Sequence, residues 1–279
     1  MKLGFCRIDE EASENVKKVP GKVYLCRTEY MSCGACCGIY NFNYTSRQNF
    51  FDVIIDRTVR FESVERTIEA ILEFGEAESK KIDCFGKKPF PQFHHCPFTG
   101  FMDSAFDKPG CLLHPLAEKN SGVDYRGLSY YGGLACASYF CPTYYNVSSE
   151  RKLIVRNALE DSYSYGLIIT EDKMINNLFD IVEKKKGKKL FPHEVNDEAM
   201  IKLEKILKFK LGCPLISDNS HPANYFFGDA DTKDEIFYFR TSEFYHILKA
   251  IKALITSKKD LLDAENFLNK EISEFVNLL

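Results

Sequence analysis

Apolar and polar residues follow a helical period over much of the chain, and the exceptions gather in one stretch. Between residues 46 and 82, Phe50, Phe51, Ile54, Ile55, Val64, Ile68, Ile71 and Leu72 recur at mixed three- and four-residue spacing. That spacing puts them on one face of a helix. Two helices are expected there, with a break near Arg60–Ser63. From Ser148 the same pattern returns. "SSERKLIVRNALEDSYSYG" opens on serine and closes on glycine, the start and stop signals of a helix. "TEDKMINNLFDIVEKKKG" begins with Thr170 and acidic residues and ends on three lysines and Gly187, the charge order that the helix dipole favours. Asn196–Leu211 carries Met200, Ile201, Leu203, Ile206, Leu207 and Leu211 on an apolar stripe, and Ser242–Thr256 and Leu261–Leu278 read as two more amphipathic helices. "DEIFYFRT" reads as a short strand. The expected fold is mainly α, with at most a minor sheet.

Residues 84–146 break the pattern. Six of the ten prolines and seven of the sixteen glycines fall in this stretch, so long regular elements are not expected. It is nevertheless rich in aromatics, among them Phe98, Phe101, Tyr130, Tyr131, Tyr139 and Phe140. A disordered segment would lack them. A long irregular segment inside a folded unit calls for another constraint, and metal cross-links supply one.

Composition sharpens this. The chain has 279 residues, 45% of them hydrophobic, and a formal charge of −3. That balance gives no reason to expect nucleic acid as a partner. No stretch approaches the ~20 apolar residues that span a bilayer, and the first residues lack the apolar core of an export signal. The expected location is cytoplasmic. In that reducing compartment clustered cysteines bind metal or do catalysis more often than they form disulfides.

There are eleven cysteines, and all but Cys213 lie before residue 142. They divide the chain into a cysteine-cluster region over 1–146, with a helical insertion at about 46–82, and a helical region over 147–279 packed on it. Cys33, Cys36 and Cys37 share "SCGACCG". Cys96 stands in "HHCPFTGF", Cys111 in "PGCLLHP", and Cys136 and Cys141 in "ACASYFCP". Thiolate is a soft ligand that suits zinc and iron–sulfur clusters. A Cys-x2-Cys turn lets two sulfurs meet on one ion. Adjacent residues point apart, so Cys36 and Cys37 are expected to face different ions or irons, or one of them to support the other. Gly34 and Gly38 permit the backbone angles that such a turn needs. His94 and His95 precede Cys96, where a hydrogen-bonded histidine is the commoner role. No phosphate-binding loop, dinucleotide fingerprint, H-E-x-x-H or G-x-S-x-G motif is present.

The order CGACC, CPF, GCLLHP and a closing C-x4-CP resembles the YkgJ-type cysteine-cluster family, described as zinc- or iron-chelating and often as containing an iron–sulfur cluster. The resemblance covers about residues 26–145. It implies a metal-ligand role for Cys33, Cys36, Cys37, Cys96, Cys111, Cys136 and Cys141. The family motif is CxxCxxCC, and Tyr30 stands in its first position here. An eighth ligand is therefore open among Cys26, Cys84 and His114. A related branch, the flagellin lysine N-methylases, keeps an enzymatic reading in view. The expected function is a metal-binding protein holding an iron–sulfur cluster or Zn2+. The alternatives are an iron–sulfur enzyme related to protein lysine N-methylases and an adaptor for an unidentified protein partner with purely structural zinc.

Overall fold

The computed structural model describes residues 19–28, 31–106, 109–213, 215, 223–226 and 240–279. The fold is mainly helical with one small sheet. Helix α1 (Arg47–Glu62) starts where the Ser46 side chain accepts the Asn49 N–H, and α2 (Ile68–Asp83) where Thr67 accepts from Ala70. Each cap satisfies an N–H that the first turn leaves unpaired. The break between the two helices falls at Ser63–Thr67, a few residues later than the periodicity suggests.

Between residues 84 and 146 the elements are short. Strands β1 (Thr99–Phe101) and β2 (Pro109–Cys111) pair antiparallel, with Thr99 opposite Cys111. Two short helices follow, α3 (Gly133–Ser138) and α4 (Thr143–Asn146). The C-terminal half contains α5 (Ser149–Ala158), α6 (Ser162–Ile169), α7 (Asp172–Lys186), α8 (Asp197–Leu207), α9 (Phe209–Gly212), α10 (Tyr245–Ala250) and α11 (Lys258–Asn277). Here α7 packs on α10, while α8 packs on both α5 and α11. Gly187 ends α7 in the left-handed conformation, φ 77°. The helix expected over Ser242–Thr256 is shorter than its apolar pattern. The strand expected over 234–241 lies, but for its last two residues, outside the described residues, as does Cys6.

Gly166 does not stop a helix. The Asp161 carboxylate caps a new one by accepting the Tyr163 and Ser164 N–H groups, and α6 runs through Gly166. The glycine is there for space. An ideal Cβ on it would stand 2.1 Å from the Cys33 carbonyl oxygen and 2.5 Å from the Tyr40 hydroxyl. The C-terminal helices thus rest directly on the backbone of the "SCGACCG" turn.

Three apolar clusters form the core. The first joins the C-terminal helices to Leu25, Met31 and Tyr144, and Cys26, Cys33 and Cys141 pack against it. The second gathers Tyr40, Phe42, Phe50 and Ile54 with Leu167 of α6. The third holds Phe61, Phe74, Phe98, Leu112, Leu113 and Cys96, with Cys37 and Cys111 packed against it. The cysteine region and the helical half share the first two. No helix among the described residues is long and apolar enough to cross a membrane.

Candidate metal centre

The "SCGACCG" turn is a single turn of 3-10 helix, Ala35–Cys37, between Gly34 at φ 61° and Gly38 at φ 70°. An ideal Cβ on Gly38 would stand 2.1 Å from the His94 carbonyl oxygen. Only glycine accepts both that angle and that approach. The turn is tied to the segment that carries Cys96 by the Cys96 N–H, which donates to the Cys37 carbonyl at 2.8 Å. It is tied to the segment that carries Cys26 by the Cys33 N–H, which donates to the Cys26 carbonyl at 2.9 Å.

A buried polar network braces the same turn from below. Arg57 of α1, fully buried, donates from Nε to Glu78 at 3.0 Å and from one terminal nitrogen to the Thr99 carbonyl at 2.8 Å. Its other terminal nitrogen donates to His95 Nε2 at 2.9 Å, and His95 Nδ1–H donates to the Gly38 carbonyl at 2.7 Å. Burial, and then the Arg57 charge, push the His95 pKa well below its ordinary value. Its ring is neutral with both nitrogens engaged, so His95 holds the turn in place and has no nitrogen left to ligate. Asn41 does similar work, donating to the carbonyls of Phe90, Phe93 and His94.

Ten described cysteines are free thiols, and eight of them act on one another. Cys33 is acted on by Cys141, Cys26 and Cys36, and Cys26 by Cys36 and Cys141. Cys37 is acted on first by Cys36 and then by Cys96 and Cys111, Cys111 by Cys96 and Cys136, and Cys96 by Cys136. The adjacent Cys36 and Cys37 link the two groups of four. As the side chains stand, the Cys37 thiol donates to the Cys36 sulfur, which lowers the Cys36 pKa and raises that of Cys37.

Burial raises most of the others. It pushes Cys26 and Cys111 up to about 12, with neighbouring thiols adding to the effect, and it raises Cys33, Cys96 and Cys141. Without a compensating cation a buried thiolate is costly, so these groups hold their protons. Yet the surroundings are built for thiolate. The backbone N–H two residues on acts on the sulfur in four places: Ala35 on Cys33, Phe98 on Cys96, Leu113 on Cys111 and Thr143 on Cys141. The Tyr144 hydroxyl donates to Cys26 Sγ at 3.2 Å, and the Ser129 hydroxyl lies 3.0 Å from Cys136 Sγ. The Thr143 hydroxyl is buried without a conventional partner, and it acts on the Cys141 sulfur. Such donors to sulfur are what tune thiolate-bound metals.

Cys84 and His114 are the other candidates for the eighth position, and the His114 N–H donates to the Cys111 carbonyl at 3.0 Å. Cys84 is exposed at the end of α2, where its thiol donates to the Lys80 carbonyl at 3.3 Å. His114 Nδ1 accepts the Leu116 N–H at 3.1 Å. Burial, and then the Arg126 and Arg27 charges, push its pKa down to about 4. Cys213 packs in the helical core. Sequence reasoning did not single out Tyr144, Thr143, Ser129, Arg57 or Asn41. Nothing in their spacing marks them, since each reaches the turn only through the folded chain.

Among the described residues, no three His, Cys, Asp or Glu side chains are already arranged to hold a metal ion. The thiols act on one another, and their surroundings suit a soft metal's donors: backbone N–H groups act on four of the sulfurs, and the buried Thr143 hydroxyl acts on Cys141. No protein-family model matches the chain, and neither a curated protein nor a solved structure matches it.

Proposed function

We propose that this chain is a metal-binding protein with two centres, one on Cys26, Cys33, Cys36 and Cys141 and the other on Cys37, Cys96, Cys111 and Cys136. The observation that carries the reading is that eight thiols act on one another in two groups of four that meet at the adjacent Cys36 and Cys37. One S4 set suits Zn2+ or an iron–sulfur cluster, and magnesium or calcium far less. The resemblance to the YkgJ-type family favours iron–sulfur. Such thiols stay reduced in a cytoplasmic compartment, where this reading places the protein.

The metal supplies the positive charge that replaces the thiol protons. The chain's own residues do the rest. The Tyr144 hydroxyl accepts the Leu25 and Cys26 N–H groups at 2.6 and 2.9 Å while donating to the Cys26 sulfur, which fixes that sulfur's direction. Lys152, buried and donating to the Pro20 and Tyr144 carbonyls, places a cation near Cys141, and Arg57 places another near Cys96. Each offsets part of the negative charge that four thiolates bring to a divalent ion or cluster.

Anaerobic purification followed by metal and acid-labile sulfide analysis tests the reading. Brown protein with labile sulfide supports two iron–sulfur centres. Colourless protein with two zinc ions per chain supports structural zinc. Protein that retains neither metal under either condition refutes the proposal.

A further inference from the structure

A row of rings runs along the segment that precedes Cys96. It begins at Tyr130 and Tyr131, which are 68% and 53% exposed and meet edge to face at 5.0 Å. Tyr130 stacks on the His94 imidazole at 4.9 Å with the planes 6° apart, and the Tyr131 hydroxyl meets His94 Nδ1 at 3.0 Å. From His94 the row passes to Phe93 at 4.4 Å, to Tyr225 at 4.2 Å and on to Phe90 at 5.3 Å. It ends where Lys252 Nζ lies 5.1 Å from the centre of the Phe90 ring. Phe90 and Phe93 are half-buried, and Lys252 is exposed. The row is held in place from below. Asn41, fully buried, donates to the Phe90, Phe93 and His94 carbonyls and accepts the Phe90 N–H at 2.9 Å. Rings fixed before a partner arrives lose little freedom when it binds, which is why tyrosine serves so well on binding surfaces.

The charges along the row have one sign. Lys87 and Lys88 come just before Phe90 in the chain, and Lys252 stands over its ring. None of the three has an ion-pair partner among the described residues. Lys252 also goes against backbone preference. Its N–H donates to the Lys249 carbonyl at 3.0 Å and the Ala253 N–H donates to the Leu248 carbonyl at 3.0 Å, the two bonds that close helix α10, and they leave Lys252 at φ 57°. Glycine is the residue that this position favours. Lysine there strains the backbone and sets a cation at the end of the row.

Beyond the metal reading, we propose that this row is a docking surface for an acidic segment of a partner protein, one that lays an aromatic side chain against Tyr130 and Tyr131 and brings carboxylates to Lys87, Lys88 and Lys252. Charge complementarity selects that partner: three unpaired cations beside ordered rings attract carboxylates and repel basic segments. A nucleic acid fits less well. The whole chain carries a charge of −3, so its long-range field does not draw in a polyanion.

Fluorescence anisotropy on the full chain tests this, with a labelled copolymer of glutamate and tyrosine as the probe. Saturable binding that weakens as salt is added is expected. Tyr130→Ala should weaken it by about tenfold, the size of an interface hot spot. Lys252→Gly should weaken it by about threefold, the size of one exposed ion pair. Glycine relieves the strain at residue 252, so this variant should melt no lower than the parent. Binding lost while stability is kept separates docking from folding. Lys270→Ala, at an exposed lysine of α11 outside the row, is the control and should bind as the parent does. No saturable binding, or equal weakening by Lys270→Ala and Lys252→Gly, overturns the proposal. Tighter binding of a labelled oligothymidylate through the same residues also overturns it, in favour of single-stranded nucleic acid.

Discussion

Replacing Gly166 by alanine tests how the helical half grips the thiol turn. By intrinsic preference alone the change should help, since alanine in a helix interior is favoured over glycine by about 1 kcal/mol. The packing says otherwise. The new Cβ would lie 2.1 Å from the Cys33 carbonyl oxygen, where real Cβ atoms stay beyond 3.0 Å. The helix or the turn must therefore retreat by close to an ångström. Neither obstacle is a loose side-chain end: one is backbone, and the other is the Tyr40 hydroxyl, which donates to the Tyr163 carbonyl at 3.1 Å. Overpacking of this kind costs about 1–3 kcal/mol, and more where the neighbour cannot move. The net expectation is a loss of about 2 kcal/mol, or a melting temperature lower by about 4–8 °C for a chain of this order of size. Gly127→Ala is the control, because nothing lies within 4 Å of an ideal Cβ there. Thermal melts of the three proteins under one metal condition decide the matter. A Gly166→Ala protein as stable as the parent, or more so, would refute the close approach and the grip that rests on it.

Other consequences follow from individual contacts. Tyr144→Phe leaves the buried Leu25 N–H and the Cys26 N–H without their acceptor and should cost about 2–4 kcal/mol; chemical denaturation measures it, and a loss below half of that would show that the hydroxyl is dispensable. Glu78→Ala strands the buried Arg57 cation and should cost about 3–5 kcal/mol, whereas a paired Arg57→Met and Glu78→Met replacement should cost less; the reverse order would contradict the assignment. Burial pushes the Glu78 carboxyl up, but Arg60 and Arg57 outweigh it and hold its pKa below the ordinary value. Its contribution is therefore full above the unfolded pKa of about 4.3 and is lost as pH falls through the folded value, so Glu78→Gln should flatten the acid limb of a stability–pH curve. Chelation should release the peptides around Cys96–Cys141 first in hydrogen exchange, because metal affinity for thiolates is folding free energy, on the order of 10 kcal/mol for structural zinc. Helix α11, packed on α8, should keep its protection; simultaneous loss in both regions would mean one cooperative unit.

Much of the fold was legible because helix caps are local. The serine start read at Ser148 caps α5, and glycine ends α7 after its three lysines, whereas Thr170 does not cap α7: Glu171 precedes that helix without a side-chain cap, and the Thr170 hydroxyl donates to the Gly166 carbonyl. Gly166 misled because a stop signal and a close approach use the same residue, and only the folded chain tells them apart. The seven clustered cysteines were legible as a group, but which of them neighbour one another was not, because that follows from long-range contacts such as the Cys96 N–H to the Cys37 carbonyl and the Tyr144 hydroxyl to Cys26. Cys26, one of three residues open for the eighth position, accepts the Cys33 N–H through its carbonyl, a contact that no spacing announces.

The measurement that bears most directly on the two-centre account is native mass spectrometry of the metal-loaded chain alongside its Cys36→Ser and Cys37→Ser variants. The account predicts two centres on the parent and a different one weakened by each substitution: the variant at Cys36 keeps the centre protected by Cys96 and Cys111, and the variant at Cys37 keeps the one protected by Cys26 and Cys33, as alkylation of the retained species reads out. A single centre on the parent, or the same centre lost from both variants, would contradict it.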